Sequence, residues 1–160
     1  MKFATADLCD AHPEQVRVAD AAFRDYGGLQ RFAGSIDTLQ VFEDNALIAE
    51  ALGTAGHGRV LVVDGGGSLR TALVGGRLAA MANTNGWAGV VLNGCIRDSL
   101  EIREIGIGVR ALATSPLRGD KKGTGNRGVK VSFAGLTFAP GQYLYADEDG
   151  IIVADRSLTG

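Results

Sequence analysis

The chain has 160 residues, of which 46% are hydrophobic and 21% are charged, and we expect it to form a single domain over residues 1–160. A formal net charge of −2 provides no general attraction to nucleic acid or to an anionic membrane, so neither is expected as a partner. No run of about 18 apolar residues is present that could span a membrane. Cys9 and Cys95 have no partners at metal-ligand spacing, which favours a reducing compartment and predicts a cytoplasmic protein.

Helices and strands are predicted to alternate over the first two thirds of the chain. In chain order these are a helix over Thr5–Ala11, a strand over Ser35–Phe42, a helix over 46–52 that follows the cap residues Asp44-Asn45, a strand over Arg59–Asp64, a helix from Gly76 to Asn83, a strand over 88–93, a helix from Ser99 to Glu104 and a strand from Val109 to Ala113. Such alternation is typical of βαβ units and favours a parallel sheet.

The apolar pattern changes to a period of two from Gly128 onward. The segments VKVSF, LTF, YLYA and GIIVA are separated by turn-forming residues, which predicts antiparallel or mixed β-structure. The chain is therefore predicted to be an α/β protein with a mixed sheet and a β-rich C-terminal part.

Glycine is unusually frequent, with 24 residues in a chain where the ordinary share is about 7%. Gly65-Gly66-Gly67 follows a predicted strand, and Gly75-Gly76 begins a predicted helix. Such clusters either let an anion approach backbone N–H groups or serve only tight turns and close packing, and both interpretations stay open. The spacing matches neither the dinucleotide-binding G-x-G-x-x-G pattern nor a P-loop.

Arg97 and Asp98 lie together beyond the strand predicted over residues 88–93. Asp98 precedes a predicted helix and has Glu101 three residues later, so the pair is typical of a capping box, although an aspartate there could also bind a metal. Arg97 is either a surface cation or a ligand-binding residue, because the end of a buried strand faces the crevice where α/β folds bind ligands.

Five segments between about Asp7 and Ala154 occur in an order that indicates a family resemblance. They are YGG (26–28) with RFAG (31–34), FEDNA (42–46), VVDGGGSLRTALVGG (62–76), GWAGVVLNGCIRD (86–98) and LYADEDGIIVA (144–154). Together they resemble the regulator of ribonuclease activity A family, which is similar in turn to metal-dependent 4-hydroxy-4-methyl-2-oxoglutarate aldolases. The resemblance implies a swivelling β/β/α domain that assembles as a homotrimer or a dimer of trimers, with clefts between subunits.

The aldolase branch of this family implies a particular site. A turn at a helix start, which donates backbone N–H groups to the substrate carboxylate, corresponds to Gly75, Gly76, Arg77 and Leu78. Arg97 corresponds to an arginine that binds the substrate and acts in catalysis. Asp98 corresponds to the ligand of a divalent metal cation, magnesium or alternatively manganese, whose other positions are filled by waters and the 2-oxo acid. Many aldolases carry an aspartate where this chain has Gly76.

The chemistry of such a site also follows from the residues. Cleavage to pyruvate has to stabilise an enolate, with either a Schiff-base lysine or a divalent metal as Lewis acid. The lysines lack the apolar setting that activates an amine, and they are Lys2, Lys121, Lys122 and Lys130. The sequence therefore favours a metal-dependent lyase that acts on a small 2-oxo acid. The same site would decarboxylate oxaloacetate, because that reaction also forms a pyruvate enolate. His12 and His57 lie in predicted loops and receive no role.

A second hypothesis comes from the family name. A regulator that binds and inhibits ribonuclease E needs a docking surface and no metal, and the negative net charge suits a basic, RNA-binding partner region. The leading prediction is a metal-dependent 4-hydroxy-4-methyl-2-oxoglutarate aldolase with oxaloacetate decarboxylase side activity, and the ribonuclease regulator is the alternative.

Overall fold

Short helices alternate with strands along the chain, and the computed structural model describes residues 2–159. The helices are α1 (Thr5–Ala11), α2 (Ala46–Leu52), α3 (Gly76–Thr84) and α4 (Ser99–Arg103). The strands are β1 (Arg17–Val18), β2 (Arg24–Asp25), β3 (Phe32–Gln40), β4 (Val60–Asp64), β5 (Ala72–Val74), β6 (Gly89–Asn93), β7 (Cys95–Ile96), β8 (Gly108–Ala111), β9 (Ala113–Thr114), β10 (Asn126–Arg127), β11 (Val131–Phe133), β12 (Leu136–Phe138), β13 (Tyr143–Asp147) and β14 (Gly150–Ala154).

A nine-stranded mixed sheet forms the centre of the fold, in the order β1-β14-β13-β3-β4-β6-β8-β2, with β10 also paired to β3. The predicted parallel part is confirmed, because β3, β4, β6 and β8 pair in parallel. Val62 of β4, for example, lies opposite Thr38 of β3 and Val91 of β6. The predicted antiparallel tail is also confirmed, since β13 pairs antiparallel with both β14 and β3, and β11 with β12.

The central strands are apolar on both faces because each face is covered. Leu61 and Val63 of β4 pack in a core cluster with helix residues such as Ile48 of α2. Val60 and Val62 of the same strand point the other way and pack in a cluster with aromatic residues of the β11–β12 hairpin. Alternate residues therefore enter two different apolar layers, which accounts for the unbroken hydrophobic run in this strand. Among residues 2–159, no helix has the length and apolar character needed to span a membrane.

A second, three-stranded sheet positions the loops that matter below. Its strands β5, β7 and β9 are parallel. The strand predicted from Val109 to Ala113 is divided between the two sheets, because the Leu112 amide donates to the Gly94 carbonyl at 2.9 Å and carries the chain from β8 into β9. The chain makes the same step from β6 to β7 at Gly94.

Asp147 joins α1 to the β13–β14 hairpin. Its carboxylate is buried and accepts hydrogen bonds from the Thr5 amide at 2.7 Å, the Thr5 hydroxyl at 2.7 Å and the Asp149 amide at 3.0 Å. Burial raises the pKa of Asp147, but the hydrogen bonds from Thr5 and Asp149 outweigh burial and hold that pKa below its ordinary value.

We expect Asp147→Asn to lower the free energy of unfolding at pH 7 by about 2 kcal/mol. The amide has no charge, and its NH2 group would face an N–H or O–H group of Thr5 that now donates to a carboxylate oxygen. The contribution of the ionised carboxylate is complete above the ordinary aspartate pKa of about 3.9. It is lost as the pH falls through the lower pKa of the folded state. The difference between variant and wild type should therefore shrink in strongly acidic solution.

Urea unfolding at pH 7 and in acid measures this difference. Asp149→Asn is the matched control, because it changes an exposed carboxylate two residues away. Equal free energies of unfolding for wild type and Asp147→Asn at pH 7 would contradict the role given to Asp147.

Candidate active site

The predicted site residues come together at the carboxyl ends of two neighbouring strands. β5 ends at Val74 and leads through Gly75 into α3, and β7 ends at Ile96 and leads into Arg97 and Asp98. Because β5 and β7 are parallel, these ends meet, and the Arg97 amide donates to the Val74 carbonyl at 3.0 Å. A cleft of about 70 Å³ opens there, lined by Asn45, Ala72, Gly75, Arg77, Leu78, Arg97, Asp98, Arg118 and Lys121.

Asp98 caps a different helix from the one expected. Its Oδ2 accepts a hydrogen bond from the Gly76 amide, at 2.9 Å, at the start of α3. The residue has φ 58° and ψ 43°, and its side chain makes no capping bond to α4, the helix that it precedes. The predicted capping box is therefore wrong. An N-cap residue normally has an extended backbone. Asp98 instead has a left-handed backbone, and its carboxylate points away from α4 toward the turn between β5 and α3.

Glu101 lies beside the start of α3, although the sequence pattern predicted only a capping role for it. Its carboxylate packs against the Cα of Gly76, where an added Cβ would collide with it. A Cβ on Gly75 would lie 2.8 Å from Oδ2 of Asp98. Two carboxylates thus converge on two glycines. The spacing of three residues between Asp98 and Glu101 was the available signal, because it places both side chains on one side of a helix start.

A side chain at position 76 would displace the carboxylate of Glu101 from its place beside α3. Position 76 is the one to which the resemblance assigns an aspartate in many aldolases, and here the carboxylate of Glu101 occupies the space that such a side chain would enter. Among the contacts of Gly76, the nearest carboxylate comes from Glu101 of α4.

The donor set of Asp98 and Glu101 fits magnesium. Within residues 2–159 there is no group of three or more His, Cys, Asp or Glu residues that could enclose a metal ion. A closed structural zinc site of four protein ligands is therefore not formed by these residues. Magnesium is commonly held by one or two carboxylates, with waters and substrate oxygens as its other ligands. Manganese accepts similar oxygen ligands.

Four cations line the cleft, against the single lining carboxylate of Asp98. They are Arg77, Arg97, Arg118 and Lys121. None of them has a carboxylate within 4.0 Å among the described residues, 2–159. The guanidinium of Arg97 makes one long contact, from Nη1 to the Pro116 carbonyl at 3.5 Å. Unpaired cations around a small cleft favour an anionic ligand.

A larger cleft of about 360 Å³ lies near the ends of β3 and β4. Its lining residues are Gln40, Val41, Phe42, Asp64, Gly66, Thr124, Gly125 and Asn126. Asp64 is the one titratable side chain in this set, and its Oδ1 already accepts hydrogen bonds from Gly66 and Asn93. The candidate site is the smaller cleft, because it combines Asp98 and Arg97 with several further cations.

The fold and the cleft define an α/β protein whose parallel strands bring charged side chains together at one candidate site. The profile of the RraA-like family, described as aldolase/RraA, matches residues 5–153. A protein of Burkholderia multivorans with the provisional name 4-hydroxy-4-methyl-2-oxoglutarate aldolase is 56% identical over 99% of this chain and 100% of its own length. The chain belongs to the RraA-like family.

Two solved structures are similar over almost the whole chain. The RNA-processing inhibitor RraA from Thermus thermophilis has a TM-score of 0.96 and 48% identity, over 100% of this chain and 97% of that one. A Geobacillus kaustophilus protein described as S-adenosylmethionine:2-dimethylmenaquinone methyltransferase has a TM-score of 0.96 and 50% identity, over 98% and 97% of the two chains. The similarity to RraA confirms the expected family and α/β fold with a mixed sheet.

Three substitutions distinguish the two structural contributions of Asp98, which are its hydrogen bond from the Gly76 amide and its left-handed backbone conformation. We expect Asp98→Asn to change the free energy of unfolding little, because asparagine keeps a hydrogen-bond acceptor and tolerates left-handed backbone. Asp98→Ala should lower the free energy of unfolding by about 2–3 kcal/mol. It removes the hydrogen bond from Gly76, and alanine has no polar side chain to stabilise the left-handed backbone. The free energy of unfolding of Asp98→Gly should lie between those of the other two variants. Glycine adopts the left-handed backbone without strain, but it also lacks the hydrogen bond from Gly76.

Urea unfolding of the four proteins at pH 7 measures these differences. If Asp98→Ala were as stable as the wild type, the hydrogen bond from Gly76 to Asp98 would contribute nothing to folding.

Proposed function

We propose that the protein is a metal-dependent carbon–carbon lyase that cleaves 4-hydroxy-4-methyl-2-oxoglutarate into two molecules of pyruvate, with oxaloacetate decarboxylation as a side activity. The observation that carries the proposal is a cleft in which the Asp98 carboxylate lies among unpaired cations, with the carboxylate of Glu101 beside Gly76 at the start of α3. The name carried by relatives at 53–56% identity supports the same reaction.

The first turn of α3 and Arg97 would bind the 2-oxo acid end of the substrate. The amide of Gly76 already donates to Asp98. The amides of Arg77 and Leu78 stand in the first turn, where helix geometry provides no intrahelical acceptor. These two N–H groups and the guanidinium of Arg97 would hold the C1 carboxylate and the 2-oxo oxygen, where negative charge develops.

Asp98 and Glu101 would hold the magnesium or manganese ion. When bound, the ion supplies Lewis-acid stabilisation of enolate charge. In the cleavage itself the C3–C4 bond breaks and its electron pair stays on C3 as the enolate, while the C4 hydroxyl loses a proton to water and becomes the carbonyl of the second pyruvate. Protonation of C3 then completes the first pyruvate. Neither His12 nor His57 lines the cleft, so we give neither a part in these proton transfers.

A Schiff-base route has weaker support, although Lys121 lines the cleft. The Lys121 side chain is exposed, whereas an amine that forms a Schiff base is commonly activated by an apolar pocket.

Methyl transfer has weaker support as well. S-adenosylmethionine carries a positive sulfonium group, which the cations of this cleft would repel.

We also propose that the protein is a homotrimer or a dimer of trimers in which a neighbouring subunit closes the cleft. The cleft in one chain, at about 70 Å³, is much smaller than typical ligand sites of roughly 300–1,000 Å³. Leu100 lies two residues after Asp98, and Leu117 is adjacent to Arg118. They are 84% and 62% exposed, as expected for side chains that a partner covers. Both cysteines are free thiols, in keeping with the predicted cytoplasmic location.

Light scattering at micromolar concentration should give the mass of a trimer or a hexamer. Leu100→Asp places a charge in the proposed interface and should shift the population toward smaller species, whereas Leu69→Asp, at an apolar residue with 59% exposure away from the cleft lining, is the comparison. A monomer mass for the wild type would contradict both the assembly and the shared site.

The second candidate function is regulation of ribonuclease E. It is favoured by the similarity to the RNA-processing inhibitor RraA. Such a regulator would use an outer surface, so its binding to ribonuclease E should not depend on the carboxylates of the cleft.

A pyruvate-release assay tests the leading proposal. We expect turnover of 4-hydroxy-4-methyl-2-oxoglutarate and of oxaloacetate that requires magnesium or manganese and stops on addition of a chelator. Arg97→Ala should lower kcat/KM roughly tenfold or more, because it removes a charge-assisted contact that strengthens in the transition state. Glu101→Gln should raise the magnesium concentration needed for half-maximal activity.

Glu104→Gln is the matched control for Glu101→Gln, since Glu104 lies at the other end of the same helix, whereas the side-chain atoms nearest Gly76 belong to Glu101. Borohydride added together with pyruvate should leave the enzyme active, and inactivation would favour the Schiff-base route through lysine. A wild type that is inert with both substrates and both metals, yet binds ribonuclease E, would overturn the lyase and favour the regulator.

A further inference from the structure

The segment of residues 115–124 supplies the cleft with two cations, Arg118 and Lys121, that the aldolase-like motifs do not include. We propose that these two side chains form a second anion subsite, which binds the far carboxylate of the substrate and restricts the enzyme to dicarboxylic 2-oxo acids. The proposal rests on the function proposed above, and it adds the residues that decide which 2-oxo acid is accepted.

Backbone hydrogen bonds hold this segment on both sides of Arg118. The Ala72 amide donates to the Leu117 carbonyl at 2.7 Å, and the Gly119 amide donates to the Ala72 carbonyl at 3.3 Å. These bonds form a parallel bridge between Ala72 and Arg118. Ala72 is the first residue of β5, the strand that leads to Gly75 and α3. Arg118 is therefore fixed to the same strand that carries the proposed carboxylate-binding turn.

Lys121 is held by a second set of bonds. The Asp120 amide donates to the Glu43 carbonyl at 2.7 Å, and the Asn45 amide donates to the Asp120 carbonyl at 2.9 Å. The residue after Lys121 is anchored as well, because the Lys122 amide donates to the buried carboxylate of Asp44 at 2.9 Å. The backbone of Lys121 is thus fixed on both sides, so its side chain starts from a preorganised position beside the cleft.

Asp44 anchors the rest of the segment. Its carboxylate accepts hydrogen bonds from the Gly123 amide at 3.2 Å and the Thr124 hydroxyl at 3.1 Å, and also from Ala46 at the start of α2 at 3.0 Å. One buried carboxylate therefore ties the segment to α2.

The pattern of ion pairs distinguishes the cations of the cleft from their neighbours. Lys122, next to Lys121, pairs with Asp120 at 3.7 Å, and Arg70 pairs with Glu43 at 2.7 Å. Within residues 2–159, Arg118 and Lys121 have no carboxylate at such a distance. A monocarboxylate held by Arg97 and α3 would leave both cations unpaired, whereas the second carboxylate of a dicarboxylic acid would pair with them.

The subsite also has a place in the reaction. In 4-hydroxy-4-methyl-2-oxoglutarate the far carboxylate belongs to the fragment that departs as the second pyruvate. Arg97 and α3 would hold the fragment that becomes the enolate, and Arg118 and Lys121 would hold the departing one. Exchange of the methyl protons of pyruvate with solvent deuterium involves only the first fragment, so it should not depend on Arg118 or Lys121.

Two matched substrate pairs test the proposal. For cleavage, 4-hydroxy-4-methyl-2-oxoglutarate is compared with 4-hydroxy-4-methyl-2-oxopentanoate, in which a methyl group replaces the far carboxylate and which would yield pyruvate and acetone. For binding without turnover, 2-oxoglutarate is compared with 2-oxopentanoate by calorimetry in the presence of magnesium. We expect the wild type to prefer the dicarboxylate in both pairs.

Arg118→Ala and Lys121→Ala should each lower kcat/KM for the dicarboxylate roughly tenfold, chiefly through KM. The monocarboxylate values and the rate of deuterium exchange into pyruvate should stay near those of the wild type. Arg118→Lys should recover part of the loss, because it keeps the charge but not the bidentate geometry. Lys122→Ala is the control, since its side chain pairs with Asp120 and does not line the cleft.

The outcomes separate this proposal from the proposed function. Turnover and exchange by the wild type, combined with unchanged dicarboxylate preference in Arg118→Ala and Lys121→Ala, would overturn the subsite and leave the lyase intact. A wild type without turnover or exchange would overturn the lyase, and calorimetry would then decide the subsite. A preference for 2-oxoglutarate that is lost in both variants would support it, and equal binding of the two acids would overturn it.

Discussion

Carboxylate oxygens of two acids lie directly against Gly75 and Gly76, at the turn between β5 and α3. A Cβ on Gly75 would lie 2.8 Å from Oδ2 of Asp98, and one on Gly76 would collide with the carboxylate of Glu101. This close approach brings the amide of Gly76 within hydrogen-bond distance of Asp98. It also brings two carboxylates together beside the positive end of α3, where the helix dipole stabilises negative charge. The site depends on this contact between two glycines and two acids.

The sheets determine which residues reach that contact. The apolar strands β4 and β6 lie in the central sheet with both faces covered. The chain then steps at Gly94 into the small sheet, where β5 and β7 are parallel neighbours. Parallel pairing places both carboxyl ends at one edge. The charges that follow β7 therefore meet the helix that follows β5, although Asp98 comes 22 residues after Gly76 in the sequence.

Most elements were predictable from local patterns, and the exceptions have physical causes. The helices over Thr5–Ala11 and Ala46–Leu52 match their predicted bounds, because apolar periodicity and end signals both act within one segment. The strand predicted over Val109–Ala113 is divided because its second half pairs with a different sheet. The capping role predicted for Asp98 was wrong for a similar reason. Its acceptor capacity is used by Gly76, a residue from a distant segment.

The amino-acid sequence was enough to predict the α/β class, the alternation of strands and helices, the β-rich C-terminal part and the candidate residues Gly75–Leu78, Arg97 and Asp98. These follow from patterns within short segments and from several ordered motifs. The contact of Glu101 with Gly76, and the presence of Arg118 and Lys121 in the cleft with Arg97, became visible in the folded chain alone. The reason is that these contacts depend on how β5, β7 and the segment of residues 115–124 are paired. Pairing between segments that are distant in sequence leaves little trace in the local pattern of either one.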